Sequence, residues 1–384
     1  MTHDAHLRTP AGRPRARSLG IPFDGIPGGY NAITDVPGVE VGYATLISGE
    51  GPLVVGEGPV RTGVTAIHPR GRADPGTACA AGFFSLNGNG EMTGTVWIEE
   101  AGALSLPVTI TNTHAVGIAQ EATIAWTTQR YPELTTNVWA LPVAAETWDG
   151  YLNDTNGRHV TSEVVMAALD EARGGPVEEG SVGGGTGMNC YHFKGGSGTA
   201  SRVVGHGSDT YSVGVFAQCN FGARKELVIA GVPVGRELAS DDPMADPSWY
   251  APAGSGSVIA VVATDAPLLP GQCKALARRV PLGLARTGTT GSHFSGDIFL
   301  AFSTANHGEL TTGLGADGGG YGTLRFVPWI AMDPFFEAVV QATEEAVLNA
   351  LCAAEEMTGA NGRRSPALPH ERVRELLRAR GVTA

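Results

Sequence analysis

No stretch of this chain approaches the roughly 20 consecutive apolar residues that a helix needs to cross a bilayer, so a helical membrane anchor is not expected. Cysteine is scarce. Cys79, Cys190, Cys219, Cys273 and Cys352 form an odd, scattered set with no CxxC pair. Such a set reads as free thiols in a reducing compartment rather than a disulfide framework. Positive charge is also short, with 26 Lys and Arg against 38 Asp and Glu and a formal net charge of −12. That balance argues against nucleic acid or an anionic membrane as partner. The exception is the start of the chain, where Arg8, Arg13, Arg15 and Arg17 cluster but no apolar h-region follows. Residues 1–20 therefore read as a flexible basic tail rather than a signal peptide, and cytoplasm is the default location.

Several catalytic signatures are missing too. There is no GxxxxGK[ST], and Gly183-Gly184-Gly185-Thr186-Gly187 does not fit dinucleotide spacing. There is no HExxH and no paired CxxC, so neither a metal nor another cofactor is expected. Without a GxSxG elbow, an α/β-hydrolase has no support. A hydrolase built from this sequence must arrange its nucleophile differently.

What is present is ample apolar material, 42% of 384 residues, and abundant glycine, 55 residues, which implies many tight turns and close backbone approaches. No linker-like break or internal repeat interrupts residues 21–358, which predicts a single domain there. A polar C-terminal extension over 359–384, with a short Arg-rich helix near Glu371 to Arg380, is expected at the surface. A turn followed by a strand is predicted over Ile33–Gly42, and strands at Arg61–Pro69, Pro107–Thr111, Val213–Gln218, Leu227–Val232, Ser257–Thr264 and Asp297–Ser303. Helices are predicted at Glu99–Leu104, His114–Trp126, Val160–Arg173, Leu268–Val280 and Pro334–Glu356. In the last of these Pro334 suits the first turn and Phe336, Val339, Val340, Thr343, Val347 and Leu351 share a side. Mixed strands and helices make the class α+β or layered α/β.

The stretch that carries chemistry is Gly254-Ser255-Gly256-Ser257-Val258-Ile259-Ala260-Val261-Val262-Ala263-Thr264-Asp265. A loop of small residues runs directly into a wholly apolar strand, with a hydroxyl at the junction. Gly256 permits conformations barred to other residues, and a strained Gly–Ser peptide is open to attack by the Ser257 hydroxyl. Hydrolysis of the resulting ester would leave Ser257 with a free α-amine of unperturbed pKa about 7.7–8.0, a base matched to its own hydroxyl. The same residues also read as an ordinary polar loop before a core strand, and local sequence alone does not decide.

The chain resembles the self-processing N-terminal-serine aminopeptidases, the DmpA-type L-aminopeptidase/D-esterases and their β-aminopeptidase relatives. The matching segments include NAITDVPGVEVG (31–42), RTGVTAIHPRG (61–71), ETWDGYLND (146–154) and GGGTGMNCYHFKGGSGTASR (183–202). They continue with QCNFG (218–222), GSVIAVVATDAPLLP (256–270) and GSHFSGDIFLAFSTAN (291–306). The resemblance implies a four-layer αββα sandwich, shared with ornithine acetyltransferases and, in layering, with N-terminal nucleophile hydrolases. It also implies cleavage between Gly256 and Ser257 and an oligomer of the cleaved pairs.

Carried over by residue, Ser257 is the nucleophile, with Ser295 and Asp297 hydrogen-bonding around it from one face of a strand start. Relatives can carry Glu where Asp297 stands. Asn220 and Tyr151 become the oxyanion donors. Glu146 becomes the acid that binds the free amino group of a small peptide, aminoacyl amide or ester substrate. His68, His114, His192 and His293 read as structural histidines, and Asp265 as a helix N-cap residue. Asn87 and Asn89 read as turn formers before substrate contacts. Gly183–Gly187 and Gly195–Gly198 are turns or a wall of the site.

Two other functions stay open. One is an acyltransferase of the ornithine-acetyltransferase type, which exposes threonine where this chain has Ser257. The other is a non-catalytic relative. Substrate choice among α-L-, D- and β-aminoacyl groups is not readable.

Overall fold

A computed structural model describes residues 5–136, 139–246, 255–310 and 320–382. Two sheets dominate it. The first has four strands in the order β1 (Glu40–Ser48), β2 (Val60–His68), β5 (Val108–Asn112), β6 (Val143–Thr147). The second has six. Between β3 (Cys79–Ser85), β4 (Ala103–Leu104), β9 (Gly196–His206), β10 (Asp209–Asn220), β11 (Gly256–Thr264) and β12 (Ser295–Ser303), the spatial order is β4-β3-β12-β11-β10-β9. A short β7–β8 ribbon (Asn189–Cys190, Phe193–Lys194) and a β13–β14 pair (Met357–Thr358, Arg364–Ser365) stand beside them.

The layering follows from side-chain alternation along the strands. On β11, Val258, Ala260 and Val262 enter a core shared with helices α3 (Pro270–Ala277), α4 (Val280–Arg286) and α5 (Asp333–Ala353). Its alternate residues, Ile259, Val261 and Ala263, instead meet Ile67, Ile110, Val143 and Ala145 of the four-stranded sheet. On the far side of that sheet, Val64, Ala66 and Ala144 pack against α1 (Val116–Arg130) and α2 (Ser162–Asp170). Helix, sheet, sheet, helix is the four-layer αββα sandwich that the resemblance implied. It also explains why β11 is apolar throughout: a central strand with a layer on each face offers no residue to water.

Most expected elements are present with shifted ends. The Leu227–Val232 segment is a correction. Leu227, Ile229 and Val232 are buried, but Ala230 and Gly231 both take positive φ, at 48° and 78°, and fold the chain back so that Ile229 pairs with Val232. Asp265 is not a helix cap either. Its Oδ1 accepts from Ser212 N at 2.7 Å, and the helix that follows begins only at Pro270.

The basic segment is the larger correction. From residue 5 onward it is built into the body. Arg15 is 3% exposed and donates to Glu179, which is fully buried, at 2.6 Å. Arg17 reaches Glu345, also fully buried, at 2.6 Å. Two interior carboxylates demand cations, and this segment supplies one to each, with Arg202 adding a second to Glu345 at 2.8 Å. The C-terminal helix α6 (His370–Ala379) forms where expected, yet it buries Val373, Leu376 and Leu377 in the same core as α5. It is therefore a packed amphipathic helix rather than a mere surface extension. The five cysteines are free and buried. Among the described residues, no helix is long and apolar enough to cross a membrane.

Candidate active site

Ser257 stands at the start of β11, opposite Asn220 at the end of β10 and level with Gly296 on β12. It is 2% exposed, and its hydroxyl donates to the carbonyl oxygen of Gly256 at 2.6 Å. In the continuous chain the oxygen of the expected nucleophile thus lies against the carbonyl of the bond expected to break. Gly256 is required by space as well as conformation: a Cβ there would sit 1.9 Å from Asn220 O. Of the small-residue loop ahead of it, Gly254 lies outside the described residues.

Ser257 opens into a cavity of about 620 Å³. Asn220 and Glu146 line it too, so the expected nucleophile, oxyanion donor and amine-binding acid share one space. Asn220 Oδ1 accepts from Asn189 N at 2.8 Å, and its Nδ2 donates to Trp148 O at 2.9 Å. Those two bonds fix which end of the amide is the donor. Glu146 is 2% exposed; its Oε1 accepts from Glu91 N at 3.0 Å and its Oε2 from the Thr113 hydroxyl. Burial raises its pKa, and the bonds from Thr113 and Glu91 N oppose that rise. It lines the cavity and both of its donors are neutral, which suits a receptor for an ammonium group.

Ser295 and Asp297 form a pair, with Ser295 Oγ donating to Asp297 Oδ1 at 2.6 Å. By alternation they lie on the Phe299 and Ala301 side of β12, the helix-facing side, rather than on the cavity side. Asp297 Oδ1 also accepts from Val258 N at 3.2 Å. The pair therefore attends the backbone next to Ser257, not its hydroxyl. Burial raises the Asp297 pKa against hydrogen bonds from Ser295, Asn87 and Val258 N.

Tyr151 is not brought to the cavity. Leu152 N and Asn153 N both bond to Asp149 O at 3.1 Å, and that turn carries Tyr151 into a cluster with Leu152 and Met244. Its hydroxyl donates to Arg364 O at 3.3 Å. Trp148, three residues earlier, lines the cavity instead. His192 also lines it, with Nδ1 2.9 Å from Asp242 Oδ2, while His68 is structural: buried, 3.1 Å from Leu169 O, and pushed by burial down to about 4. His293 is exposed against Phe294. Thr113 and Trp148 are the residues that sequence reasoning missed, while Asn87, read there as a turn former, bonds Asp297 Oδ2 at 2.9 Å. Trp148 lay inside the matched ETWDGYLND; Thr113 carried no signal of its own.

Residues 31–365 match the model of peptidase family S58. The chain belongs to that family. It is 51% identical to the β-peptidyl aminopeptidase BapA of Sphingosinicella microcystinivorans, with 95% of this chain and 92% of that one covered. The β-peptidyl aminopeptidase BapA of Sphingosinicella xenopeptidilytica is 46% identical, over 96% of this chain and 92% of that one. Among solved structures, the L-aminopeptidase D-Ala-esterase/amidase of Ochrobactrum anthropi superposes with a TM-score of 0.89 at 46% identity, covering 97% of this chain and 100% of that one. That enzyme is described as a prototype for the serine aminopeptidases and a variant of the Ntn hydrolase fold. This S58 member is accordingly a hydrolase, a serine aminopeptidase, whose fold is consistent with self-processing.

Proposed function

We propose that Ser257 cuts its own chain and then serves as the N-terminal nucleophile. The observation that carries this is the 2.6 Å contact from Ser257 Oγ to Gly256 O at the mouth of a cavity holding Asn220 and Glu146. Attack of Oγ on the Gly256 carbonyl carbon forms an ester, breaks the C–N bond and frees the Ser257 nitrogen as an amine. Water then opens the ester, leaving a Gly256 carboxylate and a serine with both hydroxyl and α-amine. The Ser295–Asp297 pair is suited to hold that amine, because Asp297 already bonds the next backbone nitrogen.

In turnover the α-amine takes the hydroxyl proton, Oγ attacks the substrate's acyl carbon, and Asn220 Nδ2 donates to the oxyanion. The proton passes to the leaving amine, and water releases the acyl group. Glu146, buried and 3.0 Å from the Glu91 amide, binds the substrate's free amino group, which makes the reaction an exopeptidase one. The names of the curated relatives support β-aminoacyl groups as substrates, and a cavity of about 620 Å³ has room for a short peptide. Five free, buried cysteines support a reducing compartment, and assembly of cleaved pairs into an oligomer rests on the resemblance.

Intact mass and N-terminal sequencing test the reading. The expected result is a 256-residue chain and a 128-residue chain beginning Ser-Val-Ile-Ala, with Ser257→Ala giving one uncut, inactive species. Active protein that never yields that N-terminus would remove it. Parallel rates on β-homoalanyl and L-alanyl p-nitroanilides decide the substrate: an enzyme that turns over only the α-amino acid anilide would exclude the β-aminoacyl assignment.

A further inference from the structure

One peptide group behind the cavity is bonded at both ends. The carbonyl oxygen of Met188 accepts from Lys194 Nζ at 2.6 Å and from the Gly195 backbone N–H at 2.9 Å. The N–H of the same peptide, that of Asn189, donates to Asn220 Oδ1 at 2.8 Å. Asn220 lines the cavity beside Ser257, with one Nδ2 hydrogen spent on Trp148 O at 2.9 Å. Its second Nδ2 hydrogen has no acceptor among the described residues.

Lys194 is an unusual residue to find there. It is fully buried, and among the described residues no carboxylate bonds its ammonium. Three carbonyls receive it: Met188 O at 2.6 Å, Gly195 O at 2.9 Å and Gly185 O at 3.4 Å. Burial pushes it down to about 7; the Cys190 thiol opposes that and the Arg13 guanidinium adds to it. An interior cation with only dipoles around it is costly, and an apolar side chain of similar length would fill the same space without that cost. The charge is aimed at a peptide whose other end holds the oxyanion donor.

We propose that Lys194 is a positioning residue for catalysis, its ammonium fixing and polarising the Met188–Asn189 peptide so that Asn220 is held with an N–H toward the Ser257 acyl oxygen. With Met188 O held by Lys194 and by the Gly195 N–H, the Asn189 N–H on the other end of the peptide points at Asn220, and the lysine adds charge to that hold. Asn220 must then answer with Oδ1 and turn its amide hydrogens outward. Charge at the head of such a chain strengthens each bond along it, and the gain is greatest when the last donor meets a developing negative charge. The inference rests on the reading of Asn220 as that donor.

The test is a double-mutant cycle on purified, self-cleaved enzyme at about pH 6, where a Lys194 pushed down to about 7 is still mostly charged, with an aminoacyl p-nitroanilide as substrate. Lys194→Met is expected to lower kcat by roughly 10- to 100-fold, with KM within about 3-fold of wild type. In an Asn220→Ala background the same substitution should cost less than about 3-fold, since the donor it acts through is gone. Equal losses in both backgrounds, or an unchanged kcat, would overturn the proposal. If Lys194→Met does not fold, Lys194→Gln, which keeps an N–H donor without the charge, is judged by the same two comparisons. Failure of the underlying reading looks different: Asn220→Ala would itself keep wild-type kcat, and the proposal would fall with it.

Discussion

Asn87 and Asp297 are joined twice. Asn87 Nδ2 donates to Asp297 Oδ2 at 2.9 Å, and the Asp297 backbone N–H donates to Asn87 Oδ1 at 2.6 Å. Asn87 Nδ2 also bonds Ser292 O at 3.0 Å, so one turn residue ties the 85–90 loop to the start of β12. That loop lies close enough that a Cβ on Gly296 would be 2.5 Å from Gly90 Cα. The carboxylate beside the backbone of Ser257, the proposed nucleophile, is thereby held from a segment 210 residues away in sequence. Asn87→Ala is expected to slow self-cleavage and to lower kcat by roughly 10-fold with little change in KM, since it frees Asp297 without touching substrate. Timed gels for cleavage and steady-state kinetics on the cleaved fraction check it; a wild-type rate in both would show that the pair needs no such support.

Glu146 sets the second expectation. A carboxylate raised by burial must be ionised to hold an ammonium group, so affinity should rise as pH rises through its pKa and fall below it. Glu146→Gln removes the charge and keeps the shape. For substrates with a free amino group, kcat/KM is expected to drop by about 100-fold, the worth of a charge-assisted bond. An N-acetylated substrate, already poor, should lose little. Equal losses on both would mean that Glu146 supports the fold of the site rather than the substrate's amine.

Much of this was legible. The apolar run Ser257–Thr264 announced a strand with cover on both faces, and alternation of Ser295 and Asp297 was enough to put them on one face. The face itself was not, because it depends on which side of β12 the α3–α5 layer packs. Tyr151 was misplaced because Tyr151 and Trp148 are near in sequence, and only the turn closed on Asp149 O separates their directions. Leu227–Val232 has strand composition, and the positive φ of Ala230 and Gly231 overrides it. Long-range polar pairs were out of reach: nothing local links Arg15 to Glu179, 164 residues on.

Asp149 supplies a pH dependence. It is fully buried beside the site, bonded by Asn153 Nδ2 at 3.0 Å, and burial pushes it up to about 6. A carboxyl whose pKa is higher folded than unfolded favours the folded state while protonated. Its contribution is therefore complete below about pH 4 and is lost as pH rises to about 6, a change of roughly 2–3 kcal/mol for that displacement. Asp149→Asn should flatten this part of the profile. Thermal melts at intervals from pH 4 to pH 7 should show a wild-type decline that the variant lacks, and parallel declines would locate the dependence elsewhere.

Arg15 gives the sharpest contrast with a reading of the N-terminal segment as a loose basic tail. Its guanidinium donates to both oxygens of Glu179, at 2.6 and 3.1 Å, and to the carbonyls of Ala5, Tyr30, Asn31 and Thr199. Burial raises Glu179, and the Arg15 charge is the first of the effects that oppose it. Arg15→Ala leaves that carboxylate buried and unpaired, so a loss of about 3–5 kcal/mol is expected. The loss should grow with pH, because without its partner Glu179 is tolerated only when protonated. Arg8 is exposed and among the described residues its guanidinium bonds only Gly12 O, so Arg8→Ala should change stability by less than about 0.5 kcal/mol. Melting the two variants side by side at pH 5 and pH 8 separates the accounts: a tail that merely carries charge would make them alike, whereas a built-in ion pair makes Arg15→Ala the weaker protein, and weaker still at pH 8.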